Sequence, residues 1–566
     1  MEEKRNLILA IVLSGLVLVG WQYFFPMPQG PAPEAAPRQE IAVGASPQAQ
    51  ADTQVTLGGQ QQPVFNDDTA PKVQIDTPDS IGSINLRGAK IDRLALVDYK
   101  ETLDADSAII SLLKGGVHSY YASYGWTGKG VTLPDNKTVW TADRDVLSVD
   151  QPVRLSWTSP EGVTFLQDIS IEDRFLLSVK QSVVNGSTRS LALAPYGLIS
   201  RGGTPETSGF YILHEGLIGV LGDSLNEIDY DTLLEDKRQR FNSDNGWLGI
   251  TDKYWLVAQI PAQGQNFNAA FSAQQSNLEP RYQTDFVTDV QNVAAGETVS
   301  YSSHLFIGAK ETNLLDRYRD ERGFHQFDLA VDFGVMYFIT KPIFYMLDYL
   351  FEILGNFGLA ILALTVGIKL LFFPLSNKSY VSMSKMKLLQ PKMVELKERY
   401  GDDRQKLNTE MMGLYKREKV NPLAGCLPIL MQIPVFFALY KVLFVSIEMR
   451  HAPFFGWISD LSAPDPLGVL TLFGLIDWQV PAILAIVNIG LWPLIMGLTM
   501  WGQQKLNPAP ADPMQAKIFA LMPIFFTFLL ATFPAGLVIY WAWNNILTIS
   551  QQWIIMRRLA KKSEQA

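Results

Sequence analysis

The sequence predicts a polytopic α-helical membrane protein with one large all-β domain on the outer side of the bilayer. Three observations lead there. Charge divides the chain: residues 26–330 hold 24 Lys and Arg against 39 Asp and Glu, whereas residues 331–566 hold 21 against 15. Long apolar runs are confined to the first 25 residues and to the second half. Between them, residues 73–308 read as short alternating runs broken by turn residues, the pattern of an antiparallel β domain. A chain of 566 residues exceeds one ordinary domain, and because 48% hydrophobic content is not by itself membrane-like, each apolar run is judged singly. Cys426 is the only cysteine, which excludes an internal disulfide and a multi-Cys zinc site. The outer domain therefore has to fold on its core alone, which its size permits.

Taken in order, residues 1–25 place Lys4 and Arg5 before an apolar run and end in Trp21, Tyr23, Phe24 and Phe25. This is an uncleaved signal anchor with an interfacial aromatic belt, its basic end in the cytoplasm; cleavage near residues 31–37 is the alternative. Residues 26–72, rich in Pro, Ala and Gln, form a flexible linker. Residues 73–325 form the β domain, including a pair of runs over 163–184 ending at Asn185-Gly186, a run over 299–307, and a closing charged helix over 311–322. Residues 326–357 carry a helix lying in the outer interface, because offsets of seven and eleven put Lys341, Asp348 and Glu352 on one face; a tilted span is the alternative. Residues 358–375 cross inward and stop at Pro374. Residues 376–420, with eleven Lys and Arg, form a cytoplasmic helical hairpin broken at Gly401 and re-started at Asp402 or Asp403. Residues 421–566 hold spans over 423–447, 480–501, 518–532 and 535–556 and a basic tail with Arg557, Arg558, Lys561 and Lys562. The short apolar run 467–476 packs at the outer interface. Six spans put both termini inside.

Residues 421–449 carry Pro422, Pro428, Pro434, Gln432 and Lys441 without losing the length of a span. A plain anchor needs none of these, since a proline frees a carbonyl and a side-chain amide in hydrocarbon seeks a protein partner or a wet cavity. Lys369 lies five residues before Pro374 with no acidic residue in its span. One reading is snorkelling, as about 7 Å of helix rise and a flexible stem reach the headgroups. The other is a cation facing a hydrated pocket shared with Thr365, Gln432, Tyr540, Asn544 and Asn545, polar groups in otherwise apolar helices. In the hairpin, Met383, Met386, Leu389, Met393 and Leu396 face Leu407, Met411 and Leu414 as a seam. With Lys385 and Lys387, the same Met-rich basic surface suits recruitment of apolar segments or a ribosome. Enzyme motifs are missing: the five histidines are dispersed, GWTGKGV at 125–131 is not a phosphate loop, and there is no G-x-S-x-G.

These residues resemble the YidC insertase family in its long Gram-negative form. The likeness is carried by FDLAVDFG, SMSKMKLLQPKM, GDDRQKLNTEMMGLYKREKVNPLAGCLPILMQIPVFFALY and ADPMQAKIFALMPIFFTFLLATFPAGLVIYW, dense from Phe327 to Arg558. The resemblance implies a five-helix core around a hydrophilic groove, open to cytoplasm and lipid, under a periplasmic β-supersandwich similar to sugar-mutarotase folds. It implies a non-enzymatic inner-membrane insertase and chaperone without cofactor. Its implied partners are nascent membrane proteins, the lipid bilayer and the Sec translocon, with the ribosome and the signal recognition particle receptor as candidates and no sequence-specific nucleic acid. Lys369 falls where many relatives carry Arg, keeping the charge but not the planar fork. Thr365 and Tyr540 match polar groove positions, and Trp541 stands where some relatives have a second Tyr. Two rivals remain. A transporter would need a midplane acid or inverted repeats, which the sequence lacks; an anchored carbohydrate-binding β domain would bind sugar through residues 73–325 alone.

Overall fold

The computed structural model describes residues 70–116, 118–208, 213–275, 279–401, 403–418, 420, 427–476, 478, 480–481, 484, 487–507 and 513–564. The expected N-terminal anchor, nearly all of the linker and residues 421–426 lie outside them.

Among the described residues, twenty strands between Lys72 and Ala309 build two sheets, of eleven and nine strands. In the larger, Leu191–Gly202 lies between Tyr120–Lys129 and Pro280–Thr288; in the smaller, Leu176–Asn185 lies between Val163–Asp173 and Thr298–Ala309. Pairing is antiparallel, apart from the short contact of Gln74 and Ile75 with Val146 and Leu147. The alternation read from the sequence follows from the pleat: Val163, Phe165, Gln167 and Ile169 all point into the core. Two buried glutamines then tie the sheets together. Gln167 Nε2 donates to the Tyr124 carbonyl at 2.8 Å, and Gln181 Nε2 to the Gly125 carbonyl at 2.6 Å. Each bond crosses from the smaller sheet to the larger, so polar bridges fix the layers' registry beside the aromatic packing.

Eleven helices accompany the sheets among the described residues. Helix α1 (Tyr230–Asp236) lies within the β region, and α2 (Thr312–Arg322) closes it, ended by Gly323 at φ 71°. After a 3-10 turn at Phe327–Ala330 come α3 (Tyr337–Leu354), α4 (Phe357–Leu371), α5 (Phe373–Leu388), α6 (Gln390–Tyr400), α7 (Arg404–Arg417), α8 (Leu427–Val445), α9 (Leu491–Leu506), α10 (Pro513–Leu529) and α11 (Ala535–Glu564).

The three charges of α3 do not share one environment. Glu352 is exposed and Asp348 accepts from Asn313 Nδ2 at 2.8 Å, but Lys341 is buried against the β domain. Its ammonium donates to Asp316 at 2.6 Å, Asp328 at 2.7 Å and the Tyr337 hydroxyl at 2.7 Å. Arg319 reaches the same two carboxylates at 3.0 and 2.9 Å. Burial alone would lower Lys341 and raise Asp328. Hydrogen bonds to Asp316, Asp328 and Tyr337 hold Lys341 well above its ordinary value, and those from Lys341 and Tyr337 hold Asp328 below the usual carboxylate range. Apart from Glu352, the exposed side chains of α3 are mainly apolar, with Phe338, Met346, Tyr349 and Ile353.

Two further departures concern the spans. The span expected over 480–501 becomes a helix only at Leu491. Asp465 holds the preceding loop by accepting from Leu467 N at 3.0 Å, Trp457 Nε1 at 2.9 Å and Trp492 N at 2.7 Å. A Cβ at Gly490 would meet Asp465 at 2.6 Å, so glycine is required where the chain turns into α9. The stop expected at Pro374 is a bend of 71° between α4 and α5, after which Pro374 starts the new helix. By length and composition, Met514–Thr532 is the one described helix that could cross a membrane unaided. The bent pair α4 and α5 passes only when taken together.

Where α8 ends, the half-buried Glu448 accepts from Thr312 N of α2 at 2.8 Å, while Arg450 donates to the Lys100 carbonyl at 2.6 Å. Burial pushes the Glu448 carboxyl up to about 7.

Two outcomes follow for these joints. Lys341→Ala leaves Asp316 and Asp328 with one cation between them, and a loss of about 3 kcal/mol at the joint is expected. Native-state hydrogen exchange in detergent checks it, as protection lost across α2 and α3 but kept in the sheets. Glu448 binds its proton more tightly folded than unfolded, so its share of stability is complete below about 4.5 and is lost as pH rises through about 7. Unfolding midpoints between pH 5 and 8 should therefore fall with rising pH in the parent protein and fall less steeply in Glu448→Gln.

Candidate functional site

The polar residues of the helical half converge on α11, which carries Tyr540, Asn544, Thr548 and Gln552 at four-residue spacing, with Asn545 beside them, all buried. Four-residue spacing puts them on one face of the helix. Their partners lie on four other elements.

From α8, Gln432 Nε2 donates to the Tyr540 hydroxyl. From α9, the Thr499 hydroxyl accepts from Asn545 Nδ2 at 3.2 Å and itself donates to the Met496 carbonyl at 2.8 Å. Beyond the end of α9, Asn507 Oδ1 accepts from Gln552 Nε2 at 3.3 Å. From α4, Lys369 Nζ donates to Thr548 Oγ1 at 2.9 Å. From α5, the buried Tyr380 is a second side-chain partner of Thr548. Thr548 donates its own proton to the Asn544 carbonyl one turn back, at 2.8 Å. Thr365, one turn before Lys369, is likewise buried and donates to the Ile361 carbonyl at 2.7 Å. Trp543 Nε1 donates to the Leu362 carbonyl at 3.3 Å and holds α11 against α4. Asn544 Oδ1 and Gln552 Oε1 are buried acceptors without a partner among the described residues. Such groups call for water or an incoming donor.

The sequence-predicted residues thus divide. Gln432 meets Tyr540 directly, and Lys369, Asn544 and Asn545 join the same seam through Thr548 and Thr499. Trp541 stands apart from the polar seam, among rings, with Phe436 edge-on at 4.8 Å and Phe526 at 5.7 Å. Thr548, Tyr380, Thr499 and Gln552 were missed by sequence reasoning. The signal was present in the i, i+4 recurrence from Tyr540 to Gln552, although threonine in a helix gives little warning because it satisfies its own proton on the preceding turn.

In the hairpin, the first arm is two helices divided at Leu389, ahead of Pro391, and Asp403 caps the second arm by accepting from Lys406 N at 3.0 Å. Met393 lies in the seam, its sulfur 3.7 Å from the Tyr415 hydroxyl, and Met383 and Met386 are half-buried. Lys385 is exposed, as is Lys387, whose ammonium reaches the Lys505 carbonyl at 3.4 Å. Exposed apolar side chains continue along α10, where Ile518, Leu521, Ile524 and Phe525 lie uncovered.

Two family models match the chain: "YidC periplasmic domain" over residues 72–346 and "60Kd inner membrane protein" over residues 349–562. The membrane protein insertase YidC of Nitrobacter hamburgensis is 48% identical over 594 residues, covering 100% of this chain and 97% of that one. That of Rhizobium meliloti is 46% identical over 591 residues, covering 100% and 97%. A solved structure described as an active YidC insertase with its first transmembrane domain resolved aligns over 85% of this chain and 92% of its own, at 15% identity and a TM-score of 0.35. A galactose mutarotase related enzyme from Lactobacillus acidophilus aligns over 42% of this chain and 97% of its own, at 11% identity and a TM-score of 0.31. The family assignment rests on the sequence matches.

Proposed function

The chain belongs to the YidC membrane protein insertase family, and on that premise we propose that it inserts nascent proteins into the inner membrane of a Gram-negative bacterium and assists their folding there, alone or beside the Sec translocon. In this reading six spans, the first within residues 1–25, put both termini in the cytoplasm and residues 73–325 in the periplasm. Five of the spans surround a hydrophilic groove.

The observation that carries the reading is the polar seam on α11, set among helices whose outer faces are apolar. Lys369 is the groove cation. Thr365, Gln432, Tyr540, Asn544 and Asn545 hydrate or contact the client, with Trp541 in the aromatic wall beside them. Physical chemistry makes nucleotide unnecessary. Burying an apolar segment of about 20 residues is strongly favourable at about 25 cal/mol per Å2, and the obstacle is the segment's polar flank. A cation and hydrated amides partway into the bilayer lower that obstacle for an acidic or polar tail. Meanwhile the apolar segment moves along uncovered side chains such as Ile518, Leu521 and Phe525 into lipid. The hairpin, through Met383, Met386, Met393, Lys385 and Lys387, recruits the client or the ribosome that delivers it.

Reconstitution tests this directly. Proteoliposomes holding only this chain, without nucleotide, should protect the acidic translocated tail of a short single-span client well above empty liposomes. Lys369→Ala should lower the initial rate roughly tenfold, the order of one lost interaction with a charged group, while Lys369→Arg retains most of it. If Lys369→Ala combined with Thr365→Ala and Gln432→Leu inserts every tested client as the parent does, the groove reading is wrong.

A further inference from the structure

Lys369 has two places to put its charge. It lies in the last turn of α4, next to the exposed Leu370 and Leu371, and its stem is long enough to carry the ammonium out to the headgroups. Instead the ammonium points to α11, where it donates to Thr548 Oγ1 at 2.9 Å. The state of that hydroxyl decides what it can do. A threonine hydroxyl has one proton and two lone pairs. The proton is committed to the Asn544 carbonyl at 2.8 Å, so the oxygen faces its remaining partners as an acceptor. The Lys369 ammonium of α4 donates to it, and the Tyr380 side chain of α5, beyond the 71° bend, flanks it. Thr548 is buried, as is Tyr380, so the oxygen is not shared with bulk solvent.

We propose that Thr548 is the positioning residue of the groove: its hydroxyl, oriented by Asn544 and flanked by Tyr380, seats the Lys369 ammonium inward and keeps it from snorkelling to the headgroups. This rests on Lys369 being the groove cation. A neutral hydroxyl suits the role better than a carboxylate would. It holds the ammonium by one hydrogen bond without neutralising it, and a client carboxylate, which bonds an ammonium about twice as strongly, displaces it. Because Tyr380 flanks the seat, it also depends on where the root of the cytoplasmic hairpin lies against α11.

The test uses the full chain in proteoliposomes with the acidic-tailed client. Thr548→Val, which keeps the shape and removes the acceptor, should lower the initial insertion rate roughly tenfold, and Thr548→Ser should recover most of the loss. In a Lys369→Ala background Thr548→Val should add nothing, because a residue acting through Lys369 has no further effect once the ammonium is gone. Peptide-resolved mass spectrometry supplies the direct readout. Acylation of Lys369 by a water-soluble, membrane-impermeant amine reagent should rise severalfold in Thr548→Val and, less steeply, in Tyr380→Phe, which keeps the ring. Equal losses from Thr548→Val with and without Lys369 would mean a packing role and overturn the proposal, as would unchanged Lys369 labelling in both variants. Were Lys369→Ala itself silent in insertion, the groove reading would fail separately. Labelling alone would then decide whether Thr548 seats the ammonium.

Discussion

A polar group placed among apolar helices has to find a partner, and α11 is where this chain meets that constraint. It carries five buried polar side chains, and four of them, Tyr540, Asn545, Thr548 and Gln552, find partners on α4, α8, α9 and the residue just beyond α9. Each hydrogen bond between helices in lipid contributes only on the order of 1 kcal/mol. Leaving any one of these groups orphaned costs more, because the lost partner cannot be replaced by solvent. The stripe therefore selects one mutual arrangement of the helices mainly by penalising the others. Aromatic rings such as Trp541 against Phe436 fill the space between these bonds, and the outward faces stay free for lipid.

The β domain is joined to this set by charges of a different kind. Lys341 and Arg319 share Asp316 and Asp328, Lys441 pairs with Asp332 at 2.7 Å, and Glu448 takes the amide of Thr312. Asp332 and Asp328 belong to the FDLAVDFG segment, whose Phe327 and Phe333 are fully buried. That segment is thus pinned on both sides, by rings into the cores and by carboxylates to α3 and α8. A joint of this build couples the position of the β domain to α3, since moving one carboxylate strands a buried ammonium.

What could be read from the residues divides along physical lines. Strand alternation at Val163–Asp173 and the charged helix that closes the β domain are local, and local rules suffice for them. Gln432 and Tyr540 could each be singled out because an amide and a phenol are costly in an apolar run, although nothing in the sequence says that they touch. Thr548 could not, because its hydroxyl is self-satisfied on its own helix and so does not look like a misplaced polar group. Lys341 was read by its helical face, but two carboxylates distant in sequence drew it inward. The start of α9 was misplaced for a similar reason. Residues before Leu491 are apolar enough for a span, but Asp465 accepts from Trp492 N at the first turn of α9, and the helix begins only there.

The choice of lysine at position 369 is itself consistent with this seam. An ammonium has three donors and a guanidinium five in a planar fork. Among the described residues the ammonium spends one donor on Thr548. Asn544 Oδ1 is a further buried acceptor on the same face, and it is unpartnered. A fork would need more fixed acceptors than these side chains offer, and each unmet N–H in a low-dielectric site costs free energy. The compact ammonium needs only one anchor and leaves two donors for water or a client carboxylate. In the proposed insertase reading, affinity for the client comes from the charge, which the hydroxyl leaves intact, rather than from a geometry that only one kind of acid would fit.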